Sequence, residues 1–230
     1  MSRTVLVTGG TRGIGREVVR ALAPTWRVLV GGRDAAAVAA VVATCPDAAG
    51  FVCDLADEAA TAAASSRLGS LDAVVHSAGV LGYGPLDAVD RSEWRRVLEL
   101  NVVAPAHLTS LLLPLLRASR GQVVAINSGS GFTAGASGGL YAASKFALRA
   151  WTDALRAEER GRVRVSSVHP GRVDTDMQRD LVAAEGGEYR AEEYLAASSV
   201  ARAVAAALEA SDDAAFDVVN VRPSGLARPS

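Results

Sequence analysis

At 230 residues and 23.6 kDa, half of them hydrophobic, the chain is long enough for one α/β domain with a large buried core, and no linker divides it. A formal net charge of −1, with arginines spread along the helical segments, argues against nucleic acid as a partner. No stretch reaches the uninterrupted apolar length of a membrane span, the most apolar run (Leu108 to Leu116) contains Pro114, and Met1-Ser2-Arg3 leads straight into a strand, so a cytoplasmic protein with no membrane partner is expected.

Strands are predicted near 3–8, 26–31, 49–53, 71–76, 121–127, 162–168 and 216–221, with helical stretches between them. This alternation predicts a doubly wound parallel sheet of about seven strands flanked by helices, a single α/β unit over 1–230. Right-handed crossovers bring the ends of the first, fourth and fifth strands to one crevice, with Gly13, Ser77 and Ser128 on a common edge.

The first strand runs into Thr8-Gly9-Gly10-Thr11-Arg12-Gly13-Ile14-Gly15, and a helical pattern covers Arg16 to Ala23. Glycines at 9, 13 and 15 allow a tight turn, close approach to a pyrophosphate and packing of helix on strand, as in a Rossmann-type nucleotide site. The second strand ends in Gly31-Gly32-Arg33-Asp34. Gly32 stands where an NAD site carries an acidic residue for the ribose 2′-hydroxyl, whereas Arg33 and Arg12 suit a 2′-phosphate, so NADPH is expected over NADH. Asp34 is expected to cap the helix that starts at Ala35. Cys45 and Cys53 lack metal-ligand spacing, so no metal site is expected and both read as buried or spare thiols.

The apolar run Gln122 to Asn127 reads as a buried strand, and Ser128 follows at its end, where an open α/β sheet places its chemistry. Thirteen residues later comes Tyr141, and four after that Lys145, the one lysine among 24 basic residues. An offset of four puts both side chains on one helical face. A half-buried tyrosine with a snorkelling lysine would give the same pair, and only its company decides for a phenol tuned as a proton donor. Beyond it, 176–197 is the segment least fixed by pattern, with Glu185-Gly186-Gly187-Glu188-Tyr189 as a break between two short helical stretches. Ser198 or Ser199 is expected to cap the helix running to Ala210.

Taken together, these motifs resemble the classical short-chain dehydrogenase/reductase family, with matching segments from Thr8 to Thr175. The resemblance implies an active site of Asn101, Ser128, Tyr141 and Lys145. It implies a cofactor lying along the turn from Gly9 through Thr11, Arg12, Gly13 and Ile14 to Gly15, beside Arg33, with Asp54 and Leu55 at the adenine. Ser77, Ala78 and Gly79 would approach the adenosine ribose, while Pro170, Gly171, Val173 and Thr175 would hold the nicotinamide, and Tyr141 and Lys145 would also face the cofactor. Asn101 is tied by the resemblance to a helix distortion, and 176–197 to a substrate cover. The chain departs from the family at His76, which replaces an asparagine that braces neighbouring strands and reads as a structural substitute.

The chemistry so implied is NADPH-dependent reduction of a small-molecule ketone or aldehyde, with Tyr141 as general acid. Lowering a phenol from about 10 to near 7 takes roughly 4 kcal/mol, about what one charge ~4 Å away supplies at an effective dielectric near 20. Alternatives are a β-ketoacyl thioester reductase, since Thr175-Asp176-Met177 also occurs in that branch, and a non-catalytic NADP(H)-sensing protein. Candidate substrate contacts are Tyr83, Gly129, Phe132, Met177 and Leu181. The helices at 102–118 and 141–160 pair subunits in the resembling family, which implies a homodimer or homotetramer.

Overall fold

Seven strands, β1 (Arg3–Thr8), β2 (Trp26–Gly32), β3 (Ala48–Val52), β4 (Ala73–His76), β5 (Gln122–Ile126), β6 (Arg164–Pro170) and β7 (Val218–Val221), form one parallel sheet in the order β3-β2-β1-β4-β5-β6-β7. The computed structural model describes residues 2–225. Every predicted strand is present, with ends shifted by at most two residues. Between β3 and β4 the chain order reverses direction across the sheet, so β1 and β4 lie side by side and their carboxyl ends open a crevice.

Alternate residues of each strand feed opposite faces, because side chains on a strand point to either side in turn. Val5 and Val7 of β1 join Val28, Val30, Val124 and Val168 under α1 (Gly13–Leu22) and the last helix, while Leu6 joins Leu29, Val74 and Val123 on the other face. With both faces covered, these strands read as continuous apolar runs, which made them legible. The remaining helices are α2 (Ala35–Val42), α3 (Glu58–Ser65), α4 (Arg91–Leu98), α5 (Ala104–Ser119), α6 (Gly139–Glu158), α7 (Asp176–Ala184) and α8 (Ala197–Leu208). Asp34 caps α2 as expected, accepting from the Ala36 and Ala37 amides. For α8 the expectation fails: Ala196 is the N-cap, and Ser198 and Ser199 lie inside the first turn, where their hydroxyls cannot fill the capping geometry.

Residues 91–119 form one 29-residue helical rod that by length and mean hydropathy (1.3) could cross a membrane, contrary to the reading of Pro114 as an interruption. The helix passes through Pro114, and Leu108, Leu112 and Leu116 are fully buried in the core beneath the sheet. Each such leucine contributes about 1.5–3 kcal/mol by leaving water.

His76 also faces that layer. Its Nε2 lies 2.7 Å from Thr109 Oγ1 on α5, and its ring meets Trp151 edge-on at 6.1 Å. It therefore braces a helix, while the link between β1 and β4 falls to Thr8, whose Oγ1 accepts from the Ser77 and Ala78 amides at 3.1 and 3.2 Å. Burial pushes the His76 pKa from 6.5 down to about 3. Above pH 6.5 its neutral ring contributes fully to stability; as the pH falls from 6.5 toward 3, only the unfolded chain takes up the proton. Unfolding then becomes easier by up to ~1.4 kcal/mol per pH unit. His76→Asn is expected to flatten the fall in unfolding free energy between pH 6.5 and about 5, as measured by urea denaturation; curves parallel to those of the unsubstituted protein would contradict it.

Candidate active site

The crevice at the carboxyl ends of the strands holds a cavity of about 610 Å³, within the range of small-molecule sites. All the residues singled out for cofactor binding line it, as do Ser128, Tyr141 and Lys145. Asn101 lies just behind, buried. The glycine-rich turn is tight: Gly9 and Gly13 have φ of +63° and +53°, and a Cβ on Gly15 would sit 2.2 Å from the Gly9 carbonyl oxygen. Helix α1 therefore starts hard against β1, and its first amides, with no side-chain cap from Arg12, are directed at the cavity mouth. These are the features a dinucleotide needs, namely free amides for a pyrophosphate and a backbone that no side chain holds at a distance.

At the second strand end, a Cβ on Gly32 would lie 2.9 Å from Val38 and 3.0 Å from Thr11, so a carboxylate there would have to displace both side chains. Arg12 and Arg33 are exposed, line the cavity and, among the described residues, have no side-chain ion pair. Asp54 Oδ1 accepts from the Ala56 amide at 3.1 Å, and Leu55 adjoins it on the cavity wall.

Four segments bring Ser128, Tyr141 and Lys145 together with Asn101 behind them. Between α4 and α5 the rod widens into a π turn over Glu99–Val103, the distortion the family resemblance implied at Asn101. Asn101 Oδ1 accepts from the Val80 amide at 2.8 Å, and its Nδ2 donates to the Val80 carbonyl at 2.9 Å and to Ser144 Oγ at 3.0 Å. On α6, Lys145 Nζ donates to the Ile126 carbonyl at 3.0 Å, at the end of β5, and lies 5.6 Å from the centre of the Tyr141 ring. Ser128 Oγ accepts from the Ser130 amide at 3.1 Å, and the Ser128 side chain is close enough to Tyr141 to oppose the rise in the phenol's pKa.

Electrostatics correct the expectation of a phenol tuned near 7. Tyr141 is pushed up to about 12, burial outweighing the opposing effect of Ser128, and burial brings Lys145 down to about 8. Spacing reveals the mutual attraction of the two charges but not the cost of taking each from water, and in this site that cost outweighs the attraction. By exposed area Tyr141 is only half-buried, and it lines the cavity. His169, not anticipated as a neighbour of Ser128, places Nδ1 2.9 Å from the Ser128 carbonyl oxygen. That contact is to the main chain, so it supplies no base for a serine nucleophile. A serine and a histidine two apart on a fully buried strand, Ser167 and His169, were the signal available in the sequence.

The segment after Thr175 folds as read, α7 followed by a break with Gly186 at φ +70°. It is closed at its base, where Val173 and Leu195 form a bridge, the Asp174 amide donates to the Leu195 carbonyl at 2.8 Å, and the Leu195 amide donates to that of Arg172 at 3.0 Å. Met177 and Leu181 line the cavity, as do Tyr83 and Gly129. Phe132 does not; it packs on His169 with ring centres 4.4 Å apart, and Arg149 covers it at 4.3 Å.

A family profile described as short chain dehydrogenase matches residues 3–186, and the chain belongs to that family. It is 34% identical over 204 residues to dehydrogenase/reductase SDR family member 7B of Bos taurus, covering 80% of this chain and 62% of that protein. It is 35% identical over 191 residues to L-fucose dehydrogenase of Bos taurus, covering 79% and 70%. The chain thus spans less than two thirds of the length of the first of these relatives. Among solved structures, a putative NAD(P) dependent gluconate 5-dehydrogenase from Beutenbergia cavernae with bound NADP matches with a TM-score of 0.85 and 30% identity, over 96% of this chain and 95% of that one. An alcohol dehydrogenase from Thermococcus sibiricus complexed with 5-hydroxy-NADP matches with a TM-score of 0.89, and at 23% identity that likeness concerns the fold.

Alanine within a helix ordinarily gains up to ~1 kcal/mol over glycine. At Gly15 the collision with the Gly9 carbonyl reverses the sign. Gly15→Ala is expected to lose about 1–3 kcal/mol of stability and to weaken binding of the nicotinamide dinucleotide, measured by thermal unfolding and by fluorescence titration with NADPH and NADH.

Proposed function

We propose that the protein is an NADPH-dependent oxidoreductase that reduces a ketone or aldehyde to an alcohol, with Tyr141 as the proton donor. The observation that carries this reading is the meeting of Ser128, Tyr141 and Lys145 in the same cavity as the glycine-rich turn, with the Lys145 ammonium 5.6 Å from the centre of the Tyr141 ring. The cofactor, held along Gly9 to Gly15 and by Val173 and Thr175, supplies a hydride when bound. Ser128 holds the carbonyl oxygen, and Tyr141 gives it the phenolic proton as negative charge develops there. With its pKa raised, Tyr141 stays fully protonated at neutral pH and is still a stronger acid than the alcohol that forms. Lys145, brought down to about 8, keeps its ammonium below that pH and stabilises the phenolate left behind. Asn101 holds the π turn against the Val80 loop and Ser144, which supports a role in keeping Lys145 supplied with protons.

The preference for NADPH is supported by Arg12 and Arg33 on the cavity wall and by the absence of a carboxylate at Gly32. The segment 176–197 acts as the substrate cover, supported by Met177 and Leu181 on the wall and the closed base at Val173 and Leu195. Self-association through residues 102–118 and α6 is supported by Val103, at the end of the π turn, and Phe146, which are 49% and 42% exposed.

The reading is tested by following NADPH and NADH absorbance with aldehydes, aliphatic and aryl ketones and diketones; NADPH-selective turnover is expected. Tyr141→Phe should lower turnover by roughly 10²–10⁴-fold while leaving the NADPH dissociation constant nearly unchanged, and full turnover would remove the acid assignment. Arg33→Asp should raise KM for NADPH by about 10- to 100-fold with little effect on NADH; an unaltered cofactor ratio would remove Arg33 from the phosphate site.

A further inference from the structure

His169, next to last in β6, is fully buried and is bonded at both ring nitrogens: Nδ1 to the Ser128 carbonyl at 2.9 Å and Nε2 to Ser167 Oγ at 2.8 Å. A carbonyl oxygen only accepts, so Nδ1 carries a proton. Nε2 of the neutral ring then accepts from the Ser167 hydroxyl, which fixes the tautomer. Burial above all, with added repulsion from Arg149, Arg222 and Lys145, holds the ring's pKa below its usual value. Phe132 lies against one side of the ring, and Arg222 donates to the His169 carbonyl, fixing the backbone that carries it.

The other main-chain restraints on Ser128 are local. Its amide donates to Asn127 Oδ1 at 2.9 Å, its carbonyl accepts from the Gly131 amide at 3.0 Å, and its Oγ accepts from the Ser130 amide. These bonds hold the turn of Gly129–Gly131 together as a unit, whose far end is also held by a 3.4 Å bond from Arg149 on α6 to the Gly131 carbonyl. The last ladder bond beneath it runs from the Asn127 amide to the Val168 carbonyl at 2.7 Å. Beyond that point, the contact from His169 is what ties the Ser128 backbone to a different strand.

We propose that His169 is a positioning residue: its Nδ1–H anchors the Ser128 carbonyl to β6 and thereby aims the Ser128 hydroxyl at the reacting carbonyl oxygen beside Tyr141. This rests on the reductase reading for its kinetic consequence. His169 touches no reacting atom; it acts through Ser128, and a displacement of the order of 1 Å at such a group costs up to about a hundredfold in rate.

Two substitutions separate the roles of the nitrogens. In His169→Asn the amide nitrogen occupies the place of Nδ1 and keeps the donor to Ser128; in His169→Gln the polar end reaches the place of Nε2 and the donor is displaced. Expected is a fall in kcat of about 10- to 100-fold in His169→Gln, recovered to within about threefold in His169→Asn. The NADPH dissociation constant and the midpoint of thermal unfolding should be similar in the two variants. Equal kcat in the two variants overturns the proposal. Imidazole ¹⁵N spectra of the unsubstituted protein, with the His169 signal assigned by its loss in His169→Asn, give an independent readout: a neutral ring protonated at Nδ1 is expected, and one protonated at Nε2 overturns the proposal without reference to activity. If the unsubstituted protein reduces no carbonyl, the reductase reading fails, and the tautomer alone decides the anchoring of Ser128.

Discussion

The hydrogen bond from the Lys145 ammonium to the Ile126 carbonyl holds the centre of this structure together. It fixes the 20-residue helix α6 to the end of β5 at the strand's last ladder position. One residue earlier, Ser144 accepts from Asn101, and Asn101 in turn satisfies both main-chain groups of Val80. One turn earlier again is Tyr141. Neighbouring positions on a single helix thus bind the end of β5, the π turn and the loop after β4, so the phenol, the serine and the cofactor-facing loop hold a common frame. A buried lysine is tolerated there because its ammonium has a carbonyl and an aromatic face to meet, at the cost of a pKa brought down to about 8.

That arrangement changes the balance of forces in the site. Spacing alone suggests that the cation acidifies the phenol. In the folded protein desolvation dominates both groups and drives them toward their neutral forms, the tyrosine up and the lysine down. A site of this kind stores the proton on the phenol in the resting state. In the reading proposed above, charge that develops on a substrate oxygen shifts that balance at the moment of transfer, which is where stabilisation counts for rate.

The seven strands were legible in the sequence because strands covered on both faces carry unbroken apolar runs, and the glycine turn was legible because no other residue fits its close contacts. Ser128, Tyr141 and Lys145 could be found because their offsets match a strand end and a helical face. Other features depend on contacts between distant segments. The π turn over Glu-Leu-Asn-Val-Val has no compositional mark; it is held by bonds from Asn101 to Val80 and Ser144, neither of which is nearby in sequence. The partner of His76 is 33 residues away on α5, and the partner of His169 is 41 residues away. The pKa of Tyr141 escaped for the same reason, since the extent of burial is a property of the assembled fold.

The segment between Val173 and Leu195 leaves the body of the protein and returns to it at a single bridge. Its two ends meet, and between them Gln178 and Val182 are buried and Glu185 pairs with Arg172, while residues 183–188 are exposed. Lengthening a loop whose ends are already joined costs little, about 0.6 kcal/mol for each doubling. In the reading proposed above, substrate choice rests on this segment and hydride transfer on the crevice beside it, so specificity can change through some twenty residues while the crevice is kept.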